Sequence, residues 1–161
     1  MDDKKKLGKV YGETVEVIIS DSRLISRGSQ FGHAAIIVDG IAYSMSHNGY
    51  DNKKSYASYV DSQQRLRDSI DFILGVSAEE KNKIKQELEK RIVNNRHYHI
   101  LANSCSTNVV EVLETIGIQA YDPRFIPGLI TPTDILIGLE RSSRLDHKKS
   151  YPKYVVRSKR K

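Results

Sequence analysis

Apolar residues recur along the chain with two different periods, and these periods predict both strands and helices. Continuous or alternating β-branched runs predict strands at 14–20, 31–38, 41–46, 69–76 and 98–102, with a late edge strand at 154–156. Apolar positions three and four residues apart predict helices at 55–67, 77–94, 105–116 and 131–141. Loops are predicted at 21–32, 47–54 and 118–130. The mixture predicts an α+β fold.

An Asp-Gly pair at 39–40 lies between two apolar runs and predicts a tight hairpin with a type I′ turn. If this hairpin has a two-residue turn, the residue numbers of directly opposite partners on its two strands sum to 79. His33 is then opposite Ser46, and Ser44 is its diagonal neighbour. The residues predicted to share this side of the hairpin are His33, Ala35, Ile37, Ala42, Ser44 and Ser46.

Cys105 is the only cysteine, and it follows a helix N-cap candidate, Asn103 or Ser104, by one or two residues. Val109 lies four residues later, so the thiol is predicted on the apolar stripe of the helix, which Gly117 is predicted to end. First-turn N–H groups and the helix dipole favour a thiolate at this place. Two interpretations are open, a nucleophile or a cysteine that fills the core.

The chain of 161 residues is predicted to form one domain, 1–161, with a basic C-terminal tail at 142–161. Residues 141–161 contain nine Lys or Arg and one Asp, which gives this segment a charge of +8. Because the whole chain has a net charge of +6, the preceding 140 residues carry about −2. Such a tail is predicted to bind nucleic acid, anionic lipid or an anionic polymer such as cell wall, or to be a solvated end. The charged N-terminus predicts cytoplasmic synthesis without a signal peptide.

The Gly-His pair at 32–33 and the Asn-Ser-Cys run at 103–105 together have the composition of a Cys–His hydrolase site. That chemistry needs a thiolate at a helix start, an imidazole on a neighbouring strand and a polar group that orients the ring. Residues 32–44 followed by 103–108 resemble the His strand and the Cys helix of the circularly permuted papain-like fold in the NlpC/P60 superfamily. The resemblance covers 14–117.

The resemblance implies an antiparallel sheet with a Cys-bearing helix packed on it. It also implies that Cys105 is the nucleophile, His33 the base and Ser44 the residue that orients the ring, with Ser46 as the alternative third residue. The third residue of the superfamily is usually His, Asn or Gln, so serine is a departure. The predicted substrate-binding residues are Asn103, Ser104 and His47.

The activity that the resemblance implies is hydrolysis of an amide bond through a thioester, with no cofactor. Small permuted domains of this kind are similar to toxins that bacteria deliver into another cell or the periplasm by a dedicated secretion system. Peptidoglycan peptide is then the expected substrate, and an immunity or inhibitor protein the expected partner. The alternatives are a lipid acyltransferase or thioesterase with the same dyad, and a non-catalytic module that binds an anionic polymer.

A zinc site is a competing interpretation of two further histidines. His97 and His99 form a His-x-His pair on a predicted strand, and Cys105 or His33 would complete the ligand set. Because no second cysteine and no acidic ligand at fixed spacing accompany them, we predict no metal. No P-loop and no Gly-x-Gly-x-x-Gly run is present in the sequence, which leaves nucleotide binding without support.

Overall fold

The computed structural model describes residues 11–20, 33–46, 49–94, 105–121 and 130–155, with only the backbone described for residues 46 and 49–53. Strands and helices follow one another in the order β1 (Glu13–Ser20), β2 (His33–Val38), β3 (Ile41–Ser46), β4 (Gly49–Ser55), α1 (Tyr56–Gln64), β5 (Ser69–Val76), α2 (Ala78–Val93), α3 (Cys105–Glu114), α4 (Pro132–Glu140) and β6 (Leu145–Tyr151). None of the helices within these described ranges is long and apolar enough to span a membrane.

The six strands form one sheet in the order β4-β3-β2-β1-β5-β6, and every neighbouring pair is antiparallel. The predicted α+β class with an antiparallel sheet is therefore confirmed. Helices cover both faces, because strands β1, β2 and β5 are almost entirely buried and each face must be shielded from water.

The main hydrophobic core lies on one face of the sheet and joins it to α2, α3 and α4. A smaller cluster on the opposite face joins the sheet to α1 through Tyr59 and Val60. Alternation along β2 divides its side chains between the two clusters: Ala34 and Ile36 face the main core, and Ala35 faces α1. The face toward α2, α3 and α4 is called the main face below, and the other the α1 face.

The predicted hairpin is confirmed in both turn and register. Asp39 and Gly40 have φ values of 50° and 75°, as a type I′ turn requires at both central positions. Ile36 pairs with Tyr43, and the other described partners of β2 and β3 also sum to 79. Of the residues predicted to share one side, those that cluster on the α1 face are Ala35, Ile37 and Ala42.

The predicted helix ends are also confirmed where they are described. Capping boxes open α2 at Ser77 and α4 at Thr131, so orphan N–H groups of the first turns donate to side-chain oxygens. After α3, Gly117 has a φ of 77°, and the N–H of Ile118 donates to the carbonyl of Leu113 at 3.1 Å. This is a Schellman motif, in which glycine takes the left-handed position at no steric cost.

Two predictions about the edges of the sheet are wrong. Residues 49–55 form β4 instead of a loop, and the late strand is β6 at Leu145–Tyr151 instead of 154–156. Both are edge strands of polar sequence, and because an edge strand is paired on one side only, they lack the apolar alternation that reveals inner strands. The first half of the predicted basic tail is thus part of the sheet. The predicted strand at 98–102 lies outside the described residues.

A chain that ends at Asp146 should melt at a lower temperature than a chain that ends at Tyr151. The shorter chain loses most of the pairing of β6 with β5, including Tyr151 opposite Ser69, and exposes the apolar edge of β5. We expect a loss of at least about 2 kcal/mol, which corresponds to roughly 4–8 °C in a domain of this size. Thermal unfolding followed by circular dichroism measures this difference. Equal melting temperatures would show that β6 adds nothing to the sheet.

Candidate active site

Cys105 is the first residue of α3, and its side chain is buried with 8% of its surface exposed. Val109, one turn later, belongs to the main core with Ala34 and Ile36 of β2, so α3 packs on the main face of the sheet. The Sγ atom lies 3.9 Å from the Oγ of Ser106. The thiol is therefore at a helix start that rests on β2, as predicted, where unpaired N–H groups favour an anion.

A small cavity of about 10 Å³ lies beside the thiol, which is the room that one water molecule needs. Ser44, 5% exposed, is part of its wall. By strand alternation from Tyr43, which belongs to the main core, the side chain of Ser44 points to the α1 face with that of Ala42, so its role as the third residue stays a prediction. The residues that line the cavity are Ala34, Ile36, Tyr43, Ser44, Met45, Leu88, Cys105, Asn108 and Val109.

His33 is the first residue of β2, and its ring lies on the α1 face. The ring centroid is 6.3 Å from that of Tyr59, which belongs to the cluster on that face. The next residue, Ala34, lines the cavity beside Cys105. The backbone therefore places His33 one residue from the cavity, while strand alternation directs its side chain to the other face. The pairing of His33 with Cys105 stays a prediction.

Several predicted site residues lie outside the described part of the chain. These are the two N-cap candidates Asn103 and Ser104, and His47 at the predicted rim. Ser46 ends β3, but its side chain is not described. His97 and His99, the candidate zinc ligands, are also outside it, and the described residues contain no group of three or more His, Cys, Asp or Glu that would hold a metal ion.

Sequence reasoning missed a buried polar contact at the cavity wall. Arg91, 6% exposed at the end of α2, donates from Nη1 to the Oδ1 of Asn108 at 2.8 Å, and Asn108 is 3% exposed. The same guanidinium bonds Glu111 through Nη1 at 2.7 Å and Glu87 through Nε at 2.8 Å. The sequence did contain a signal for Asn108: it follows Cys105 by three residues on the predicted helix, which places the two side chains next to each other on one face.

A second buried polar group on the α1 face was also missed. Asp71 is 0% exposed on β5, and Glu16 lies on the neighbouring strand β1, where its partner in the register is Ile73. Diagonal neighbours of this kind share a face, so the two carboxyls approach each other. The Tyr56 hydroxyl donates to Oδ2 of Asp71 at 2.9 Å and also bonds the hydroxyl of Tyr151. The signal was an acidic residue within each of two otherwise apolar strands.

The pKa of Asp71 is raised to about 8, mainly by burial and then by the adjacent Glu16 carboxyl through a shared hydrogen bond and its charge. The Tyr56 hydrogen bond and the charge of Lys149 oppose this effect. Burial is also the main reason that the pKa of Tyr56 is raised above its ordinary value of 10.0, with its bonds to Tyr151 and Asp71 as further causes. The pair therefore binds a proton in the neutral pH range.

Comparison with known proteins finds a solved structure with a similar fold. No protein-family model matches the chain, and no curated protein sequence matches it. Among solved structures, the crystal structure of the type VI secretion system effector TseH matches with a TM-score of 0.59 and 15% sequence identity. The match covers 86% of this chain and 92% of that one. At this identity the likeness shows a common fold, which extends over almost the whole length of both chains.

Proposed function

We propose that the chain is a cysteine hydrolase of the permuted papain-like type that cleaves an amide bond. The observation that carries the proposal is the position of Cys105, the first residue of a helix that packs on β2, beside a cavity that Ser44 also lines. Helix N–H groups favour the thiolate there. The fold shared with TseH adds support for an effector that acts on another cell.

In the proposed reaction, Sγ of Cys105 attacks the carbonyl carbon while His33 takes the thiol proton. The carbon–nitrogen bond breaks, the leaving amine receives that proton from His33, and a thioester remains. Water then attacks the thioester, giving one proton to His33, which returns it to the departing sulfur. The backbone N–H of Cys105 stabilises the oxyanion of each tetrahedral intermediate, and Ser44 orients the imidazole.

The proposal requires the start of β2 to turn over when substrate binds, because the Cβ atom of His33 points to the face opposite Cys105 and rotation of the side chain alone cannot reach the thiol. A base must come within hydrogen-bond reach of the proton it takes, and catalytic contacts often tighten only when substrate binds. His33 pairs with Ser20 of β1, but it lies beyond the described pairing of β2 with β3, which ends at Ile36 and Tyr43. A side chain at a strand end has more freedom than one in the middle of a sheet.

The proposed substrate is the peptide of peptidoglycan, and the proposed route is delivery by a type VI secretion system. The shared fold with an effector of that system favours this class over a housekeeping hydrolase. A producing cell would need an immunity protein that blocks the site. The basic segment that follows β6 is proposed to hold the enzyme on the anionic wall polymer, which exposed lysine and arginine side chains attract.

Wild-type protein should release soluble peptide fragments from purified peptidoglycan, and the Cys105→Ala and His33→Ala variants should release none. Loss of the nucleophile or of the base typically costs about three or more orders of magnitude in rate. Chromatography and mass spectrometry of the fragments measure the cleavage. Thr115→Ala is the matched control, because it removes a hydroxyl at the other end of α3, where Thr115 donates to the carbonyl of Val112.

Equal release by wild type and Cys105→Ala would contradict the hydrolase. The same assay on Ser44→Ala and Ser46→Ala assigns the third residue, since loss of the group that orients a ring lowers the rate without abolishing it. Melting temperatures of all variants must accompany the rates, because Ser44 is buried and a variant that unfolds would also be inactive.

A further inference from the structure

We infer that Arg91 is a positioning residue for Cys105 and acts through Asn108, an inference that rests on the proposed role of Cys105 as a nucleophile. Arg91 lies on α2, whereas Cys105 begins α3. The guanidinium of Arg91 holds the side chain of Asn108, and Asn108 lies one turn after Cys105. The pair thereby fixes the first turn of the helix that presents the thiol.

The contact between Arg91 and Asn108 fixes the amide in one orientation. A guanidinium has only N–H donors, so the amide atom that faces it must be the acceptor oxygen. The 2.8 Å distance from Nη1 to Oδ1 agrees with this assignment. Both side chains are more than nine-tenths buried, so water does not compete with the bond. A fixed amide in turn fixes the backbone of the first turn of α3.

The cavity places this contact next to the thiol. Cys105 and Asn108 of α3 line it, and so does Leu88, which precedes Arg91 by three residues on α2. The last turns of α2 therefore meet the first turn of α3 at the cavity wall. A helix start has unpaired N–H groups and frays easily, so an anchor there determines whether those groups stay directed at the sulfur.

The role of Arg91 is to hold a position, because its charge is already balanced. Glu87 and Glu111 both bond the guanidinium, at 2.8 and 2.7 Å. Two carboxylates beside one cation leave no excess positive charge to favour a thiolate. A buried ionic group of this kind adds little net stability over an apolar pair of the same shape. What it adds here is a single arrangement of the two helices.

The test is the rate at which iodoacetamide alkylates Cys105 in the folded protein at about pH 7, where a favoured thiolate is labelled and an ordinary thiol is slow. We expect Arg91→Met and Asn108→Leu each to slow the labelling by about fivefold or more. Arg91→Lys should slow it similarly, because lysine keeps the charge but cannot bond several acceptors with a planar fork. Glu114→Gln, at an exposed carboxylate later on the same helix, is the control and should label like wild type.

A double-mutant cycle separates positioning from general loosening of the fold. If Arg91 acts through Asn108, the double variant Arg91→Met/Asn108→Leu labels no more slowly than either single variant. Multiplied effects in the double variant, or wild-type labelling of a folded Arg91→Met protein, would overturn the inference. All rates are compared at a temperature below the melting point of every variant, and Arg91→Lys serves if Arg91→Met does not fold.

The labelling test can be read without a substrate, so its result can be distinguished from a failure of the proposed hydrolase. Alkylation reports the thiol alone, so slow labelling of the Arg91 variants supports the positioning role even if no amide substrate is cleaved. If wild type cleaves the substrate but Arg91→Lys and Asn108→Leu are labelled as fast as wild type, the proposed hydrolase is supported and the positioning role of Arg91 is rejected. A folded wild-type protein that is not labelled at all would overturn the inference, because the thiol would then not be reachable.

Discussion

Replacing Asp71 by asparagine should make the protein more stable at about pH 8 and should flatten the dependence of its stability on pH. Asp71 is fully buried, and within the described residues neither its Oδ1 nor the Oε2 of Glu16 has a hydrogen-bond donor. Two carboxylates are acceptors only, so the contact between them is favourable when one of them carries a proton. An asparagine amide supplies donors there at every pH.

The sign of the effect follows from the raised pKa of Asp71, which moves from its ordinary 3.8 to about 8. Below about pH 4 the stabilisation is fully present, because both folded and unfolded chains hold the proton. Between about pH 4 and 8 only the folded protein holds it, so the free energy of unfolding falls by up to about 1.4 kcal/mol per pH unit. Above the folded pKa the stabilisation is lost.

Urea unfolding of wild type and Asp71→Asn from about pH 4 to pH 9 measures this slope. We expect the variant to gain up to about 5 kcal/mol over wild type at about pH 8, which is about four pH units at this slope, and nothing at about pH 4. Asp61→Asn is the matched control. Asp61 is exposed, and the Tyr154 hydroxyl and Arg65 lower its pKa, so its replacement should leave the slope in place. Parallel curves for wild type and Asp71→Asn would rule out a shared proton.

Local signals in the sequence predicted those elements whose causes are local. The Asp-Gly turn fixes the register of β2 and β3, and the capping boxes at Ser77 and Thr131 fix the starts of α2 and α4. Such features depend on residues that are at most a few positions apart. The edge strands β4 and β6 depend instead on backbone pairing with a distant partner, which their polar side chains do not reveal.

The candidate site was predictable up to the point where helix packing decides the outcome. The alternation in β2 predicted that His33 shares a side with Ala35, and the contact of His33 with Tyr59 agrees with it. The alternation does not say on which face a helix from later in the chain will pack. Helix α3 packs on the side of Ala34, so Cys105 meets the face opposite the one that His33 and Ser44 share by alternation.

The burial of Arg91 could not be predicted from the sequence, for a different reason. Arg91 lies on a helix with a thin apolar stripe and many charges, where sequence alone predicts a solvated side chain. Its burial results from three acceptors, two of which come from α3. Glu16 and Asp71 in apolar strands did provide a signal, since a charge in a buried strand needs a partner.

Replacing Gly138 by alanine should destabilise the protein by about 3 kcal/mol, at the upper end of what overpacking usually costs. A Cβ atom at this position on α4 would lie 2.5 Å from the carbonyl carbon of Ala120 and 2.6 Å from the backbone nitrogen of Tyr121. Ala120 is fully buried in the main core, directly after the Schellman motif that ends α3. Helix α4 thus crosses this segment backbone to backbone, and glycine alone fits.

Gly40→Ala is the control that separates this clash from backbone strain. It adds the same methyl group into open space at a φ of 75°, so it should cost only about 1 kcal/mol. The double variant Gly138→Ala/Ala120→Gly should remain as unstable as Gly138→Ala, because the atoms that the new methyl meets belong to the backbone. Urea unfolding of the three proteins measures these differences. Two results would contradict the close backbone contact between α4 and the segment after α3. One is recovery of the free energy of unfolding in the double variant, and the other is an equal loss of that free energy in Gly138→Ala and Gly40→Ala.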